Sequence, residues 1–90
     1  MAVEIVVEIT PNPHSRKFTL SQPVTVKSIS VTTREAATAY PLAVKLFAVP
    51  GVKTLYMMNN FITVSKDPSA QWEPMLPALQ TIIAEHFDGS

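Results

Sequence analysis

The stretch "PLAVKLFAVPGVKTLYMMNNFITVSK", residues 41–66, decides the fold. Leu42, Leu46 and Val49 recur at i, i+4 and i+7 with Ala43 and Phe47 beside them, which is one apolar stripe of a helix. Pro41 suits the first turn of that helix. "VPGV" then reads as a type II turn, because Pro50 presets φ at its second position and Gly51 supplies the positive φ of its third. Beyond it the period changes to two. The central "NN" takes left-handed conformations at both positions of a two-residue hairpin turn. The predicted pairs are Met58 with Phe61, Met57 with Ile62, Tyr56 with Thr63, Leu55 with Val64, and Lys53 with Lys66. Leu55, Met57, Ile62 and Val64 form the better core face, and Tyr56, Met58, Phe61 and Thr63 form the other.

Towards the N-terminus, "VEIVVEI" alternates, with Val3, Ile5, Val7 and Ile9 on one side and Glu4, Val6 and Glu8 on the other. "TPNPHSR" interrupts it, and "KFTL" resumes as a second, antiparallel strand. In "PVTVKSISV" the apolar phase slips between Val24 and Val26 on one side and Ile29 and Val31 on the other. An edge strand with a bulge or an irregular crossing follows. "TREAATAY" has helical composition with a threonine cap. It either continues into residues 41–49 past a kink or stands as a separate helix.

Towards the C-terminus, "DPSAQ" ends the hairpin and offers Asp67 or Ser69 as a helix cap. Trp72, Leu76, Leu79, Ile83 and Phe87 then trace a helical stripe, widened by Met75 and Ile82. Pro77 is expected to kink this helix or loosen its start. Helices with one apolar stripe each need a sheet to cover. The expected fold is therefore α+β: a two-layer sandwich of about four antiparallel strands, two helices on one face, in one domain spanning residues 1–90. The sheet's second face is left uncovered.

Composition removes many functions. The 90 residues carry no net charge, 47% are apolar and 16% charged. Such a chain is globular rather than disordered and lacks the field of a general nucleic-acid binder. It has no cysteine, hence no disulfide, no thiolate nucleophile and no thiolate ligand for zinc or an iron–sulfur cluster. The N-terminal segment carries Glu4 and Glu8 and reads as a strand rather than a signal peptide. No stretch approaches the ~20 apolar residues of a membrane span, so the cytoplasm is the expected compartment.

Catalytic parts are missing too. There is no phosphate-binding glycine loop and no carboxylate pair at catalytic spacing. Ser15 follows His14, but neighbours in a strand point apart and no acid orients the imidazole. An enzyme is not expected. His14 and His86, with Asn12, Glu85 or Asp88, could offer a weak nitrogen and oxygen metal site. The plainer reading is a solvated loop histidine and a helix-end histidine that meets the dipole favourably.

Three motifs carry a family resemblance: "TPNPHSRKF", "PLAVKLFAVPGVKTLYMMNNFITVSKD" and "QWEPMLPALQTII". The first carries Pro11, Asn12, Pro13, Lys17 and Phe18. The second carries Pro41, Leu42, Ala43, Leu46, Phe47, Gly51, Val52, Phe61 to Val64 and Lys66. Trp72 and Glu73 open the third. Together they resemble the N-terminal domain of Nfu/NifU-type scaffold proteins of iron–sulfur cluster assembly, over about residues 10–83. Tyr40 stands where the family has a serine before Pro-Leu-Ala, so a helix cap is lost or moved. The family's cluster-binding Cys-x-x-C motif belongs to a separate C-terminal domain. The resemblance thus implies a stand-alone accessory domain associated with iron or iron–sulfur chemistry, and with no thiolate of its own this chain is expected to bind no cofactor alone.

The function expected is a non-catalytic interaction module whose partner is a Cys-x-x-C Nfu-type cluster carrier or its client. The stiff loop with Asn12, His14, Arg16 and Lys17 is one candidate contact, since a rigid loop loses little entropy on binding. The other is the uncovered sheet face with Tyr56, Met58 and Phe61, flanked by Lys53 and Lys66. A second copy of the chain is the alternative cover for that face. The alternative function is a weak iron or other metal carrier using His14, His86 and nearby carboxylates, within one chain or across a dimer.

Overall fold

Gly51 and the Asn59–Asn60 pair set the geometry from which the rest follows. In the computed structural model, which describes residues 3–25 and 27–88, Gly51 has φ +99°. The Val52 amide donates to the Val49 carbonyl at 3.3 Å, closing the expected turn. It joins α2 (Pro41–Phe47) to β4 (Val52–Met58), and β4 pairs with β5 (Phe61–Lys66) through the two-residue turn. Of the two asparagines only Asn59 has positive φ, at 52°, so the turn is not the doubly left-handed form expected. Asn60 instead ties the turn to its neighbour strand. Its side-chain amide donates to the Leu20 carbonyl at 3.1 Å, and its own carbonyl accepts from the Leu20 amide at 2.7 Å.

The predicted hairpin register holds from Met58–Phe61 to Leu55–Val64 and then slips. Val52 opposes Lys66 and Thr54 opposes Ser65, so Lys53 has no partner. The expected Lys53–Lys66 pair does not form. An extra residue in one strand separates two like charges whose direct opposition would be unfavourable.

β1 (Ile5–Ile9), β2 (Ser15–Leu20) and β3 (Ile29–Val31) complete a five-stranded antiparallel sheet in the order β1-β2-β5-β4-β3. The sheet has one strand more than expected because Ile29–Val31 pairs along β4 as a short edge. The phase slip before it is real: residues 21–25 leave the sheet and the amides of Val24 and Thr25 donate to the Asn59 carbonyl. Val26 lies outside the described residues. Helical residues before Pro41 form a separate turn, α1 (Arg34–Ala37), capped by the Thr33 hydroxyl at 3.1 Å from the Ala36 amide. α2 starts at Pro41 with no side-chain cap from Tyr40.

α3 (Trp72–Asp88) runs unbroken through Pro77, which is exposed. Neither Asp67 nor Ser69 caps it. The Asp67 carboxylate instead accepts from the Ser69 amide at 2.9 Å and hydroxyl at 2.6 Å, closing the preceding turn and holding the acid below its ordinary carboxylate value. The buried stripe of α3 is Trp72, Met75, Leu79 and Ile83. Leu76, expected on that stripe, flanks it half-buried.

Register defines the core. One row across the sheet is Val7, Phe18, Ile62, Met57 and Ile29; the next is Ile9, Arg16, Val64, Leu55 and Val31. Phe18, Ile62, Met57, Val64, Leu55 and Val31 are buried together with Leu42, Leu46, Leu79 and Ile83 of the helices. Each such side chain contributes about 1.5–3 kcal/mol by leaving water. Ile9 shares this phase but is 82% exposed, at the outer end of an edge strand.

Candidate functional site

The sheet's second face carries its own row: Glu8, Lys17, Thr63, Tyr56 and Ser30, one residue from each strand. The adjoining row is Val6, Thr19, Phe61 and Met58. Alternation along β2, β4 and β5 forces these side chains away from the helices. Tyr56, Met58 and Phe61 are half-buried by one another, and Val6 is 58% exposed. The Tyr56 and Phe61 rings lie 6.0 Å apart, and the Tyr56 hydroxyl donates to Met58 Sδ at 3.2 Å. Lys17 Nζ sits 4.5 Å above the Phe61 ring, an arrangement in which the cation meets the negative ring face. The result is an aromatic and thioether patch with a cation over it, uncovered by any helix among the described residues.

The loop between β1 and β2 forms a second cluster around the other sheet face. Asn12 shapes it internally: its Oδ1 accepts from the His14 amide at 2.9 Å, and its carbonyl accepts from the Ser15 amide at 3.0 Å and the Thr10 hydroxyl at 2.8 Å. Trp72 anchors it from α3, with Nε1 donating to the Pro13 carbonyl at 3.0 Å. The Arg16 guanidinium lies 5.0 Å from the Trp72 ring centroid and Lys66 Nζ 5.9 Å from it. Lys66 Nζ is also 3.3 Å from His14 Nδ1.

The structure therefore divides the candidate residues. Lys17, Tyr56, Met58 and Phe61 share the open face; His14, Arg16 and Lys66 gather at Trp72; Asn12 holds the loop; Lys53 stands apart in the register slip. Arg16 and Lys17 point to opposite faces because they are neighbours in a strand. Trp72, read from sequence as core, is also the loop's anchor. No local signal reveals a hydrogen bond between residues 13 and 72. The burial of Lys66 did have a signal, since it continues the phase of Ile62 and Val64. Ser15 Oγ pairs with Ser65 Oγ at 2.9 Å across the strands, a structural contact with no base in it.

His14 and His86 do not share a site within the chain. His14 adjoins the Trp72 end of α3 and His86 lies in its last turn, about 21 Å further along at ~1.5 Å per residue. No group of three metal-ligating His, Cys, Asp or Glu occurs among the described residues, and the Asp88 side chain lies outside them. His86 packs edge-on against Phe87 with centroids 5.0 Å apart. Its imidazole is held below the ordinary value by desolvation first and by Lys45 second, so the expected favourable charge at the helix end gives way to a preference for the neutral ring. A folded value below the unfolded one adds stability above about pH 6.5. That contribution fades as pH falls through the folded value. The His86 resonance should accordingly titrate below 6.5 by NMR, and Lys45→Met should raise its midpoint; a midpoint at or above 6.5 would refute the assignment.

Among the described residues no helix is long and apolar enough to cross a membrane. Comparison with known proteins gives a consistent result. The family described as "Scaffold protein Nfu/NifU N terminal" matches residues 5–90. A NifU-like protein of Schizosaccharomyces pombe is 35% identical over 83 residues, covering 89% of this chain and 32% of that protein. The mitochondrial NFU1 iron-sulfur cluster scaffold homolog of Homo sapiens is 36% identical over 80 residues, with 87% and 32% covered. The chain thus spans about a third of the length of these curated relatives. Among solved structures, protein SAV1430 of Staphylococcus aureus superposes with a TM-score of 0.73 at 29% identity, covering 89% of this chain and 98% of that one. A NifU-like protein of Saccharomyces cerevisiae shares the fold at a TM-score of 0.86 and 24% identity, with 99% and 82% covered. With the family model matching residues 5–90, the chain belongs to the Nfu/NifU scaffold N-terminal family.

Proposed function

We propose that this chain is a non-catalytic docking module for proteins of iron–sulfur cluster assembly or delivery, with the cluster held by the partner. The observation that carries this reading is the uncovered patch of Tyr56, Met58 and Phe61 under Lys17. Aromatic and methionine side chains are enriched at the cores of protein interfaces, and a contiguous apolar patch on a sheet face marks an interaction site. Family membership supports a protein partner in iron–sulfur cluster assembly, and the partner proposed is a Cys-x-x-C Nfu-type carrier or its client. The lack of cysteine in this chain leaves it no thiolate with which to hold a cluster, which supports placing the cargo on the other protein. The role requires an aqueous compartment, and the cytoplasm is the one the sequence suggests.

The test is an NMR titration of labelled protein with a Cys-x-x-C Nfu-type domain, in apo and cluster-loaded forms. Shifts centred on Lys17, Tyr56, Met58 and Phe61 are expected. Silence with both forms near a millimolar overturns this choice of partner.

A further inference from the structure

Lys66 closes β5 in the phase of Ile62 and Val64 and is only 8% exposed. Lysines so far out of water ordinarily meet a carboxylate. This one does not: its Nζ lies 3.3 Å from His14 Nδ1 and 3.5 Å from the Asp67 carbonyl oxygen, and it makes no ion pair with a described residue. The adjacent Asp67 turns its carboxylate onto Ser69 and feels Lys66 only as a weak field.

Arg16 stands in the same position. It faces Val64 across the β2–β5 pair, which makes it a diagonal neighbour of Lys66 on one sheet face. Its Nη1 donates to the carbonyls of Ser15 at 3.1 Å and Pro13 at 3.4 Å. Its Nη2 and Nε have no partner among the described residues. Among the described residues, two cations therefore share the Trp72 ring with carbonyl oxygens, an imidazole and a ring face as their direct contacts, and the Asp67 carboxylate acts on Lys66 only as a weak field. Those direct contacts supply partial negative charge, not a counter-ion.

The setting is also stiff. Pro11 and Pro13 bracket the loop, Asn12 ties it to His14 and Ser15, and Trp72 Nε1 holds the Pro13 carbonyl. Donors fixed in advance lose little entropy when an acceptor arrives. His14 brings its imidazole into the same cluster, with Nδ1 3.3 Å from Lys66 Nζ.

We infer that His14, Arg16 and Lys66, gathered at the Trp72 ring, form a receptor for the carboxylates of an acidic protein segment. This deepens the docking reading and rests on it for the partner being a protein. It names the chemistry that partner must present at the loop end of the sheet, apart from the patch around Tyr56.

The experiment titrates the labelled full chain with N-acetyl tetraglutamate amide, with its tetraglutamine counterpart, and with inorganic phosphate. Tetraglutamate is expected to shift the amides of His14, Arg16 and Lys66 and the Trp72 indole N–H, saturating in the millimolar range or below and weakening with salt; tetraglutamine should do neither. Arg16→Gln and Lys66→Met should each weaken binding about tenfold, the scale of a lost charged hydrogen bond. Arg16 is only half-buried, so Arg16→Gln keeps the question open to measurement if Lys66→Met misfolds. No shift at 10-fold excess over a millimolar, shifts indifferent to Arg16→Gln, or phosphate binding as tightly as tetraglutamate would each overturn the receptor. The docking reading fails separately: a carrier domain that leaves both the Tyr56 patch and the Trp72 cluster silent refutes that partner, while peptide shifts at Trp72 would still stand.

Discussion

Gly51→Val should destabilise the protein by about 3 kcal/mol, combining a left-handed backbone penalty of about 1–2 kcal/mol with overpacking of about 1–3. Both causes are visible. Gly51 has φ +99°, and a Cβ there would stand 2.7 Å from Ala70 Cβ and 3.1 Å from Met75 Sδ. The Gly51 carbonyl also accepts from the Asp67 amide at 2.8 Å, so the turn cannot move away without loosening the end of β5. Thermal unfolding should show a midpoint lowered by roughly 12–24 °C, at about 4–8 °C per kcal/mol for a domain of this size. Gly51→Ala carries the same clash, and adding Ala70→Gly should recover the larger steric part while leaving the Met75 contact and the backbone part. A Gly51→Ala protein within about 0.5 kcal/mol of the parent would show that neither cause operates.

Trp72→Ala is expected to cost about 3–5 kcal/mol, the usual range for removing a large buried aromatic. Trp72 opens the buried stripe of α3 and carries the hydrogen bond to Pro13. The loss should therefore be felt twice, as lower global stability in denaturant and as faster hydrogen exchange at the His14 and Ser15 amides. Trp72→Phe separates the two effects. It keeps a ring in the core and removes the indole donor, so the loop amides should lose protection while stability falls by only about 1 kcal/mol. If Trp72→Ala left the exchange of those amides unchanged, the loop would owe its form to Asn12 and its prolines alone.

Much of this architecture is legible in residues 41–66. The helix stripe, the Pro50-Gly51 turn and four hairpin pairs depend on spacings of two to four residues and on the φ preference of single residues. Such signals survive intact in one dimension. The choice of Leu55, Met57, Ile62 and Val64 as the core face follows from the same alternation. The stripe of α3 was legible but its centre was not: Met75, read as its margin, is buried, while Leu76, read as its centre, packs half-buried beside it, because the packing partner selects among apolar residues that the period alone treats as equal.

The open-face patch was legible for a related reason. Two helices with one stripe each can cover one side of a sheet, and alternation then dictates that Tyr56, Met58 and Phe61 lie on the other. The site at Trp72 was not. Arg16, His14 and Lys66 come together only because β2 lies beside β5, a pairing between segments about fifty residues apart, and because α3 returns over that end of the sheet.

The sequence by itself determined the local geometry: which residues turn, which alternate, which faces are apolar, and that no thiolate chemistry is present. Tertiary structure decided the rest. The order β1-β2-β5-β4-β3 is a product of long-range pairing. So are the register slip that strands Lys53 and the placing of His14, rather than a carboxylate, beside the Lys66 ammonium. Contacts of that kind are set by the whole core closing at once, and chain entropy leaves no mark of them on any short stretch.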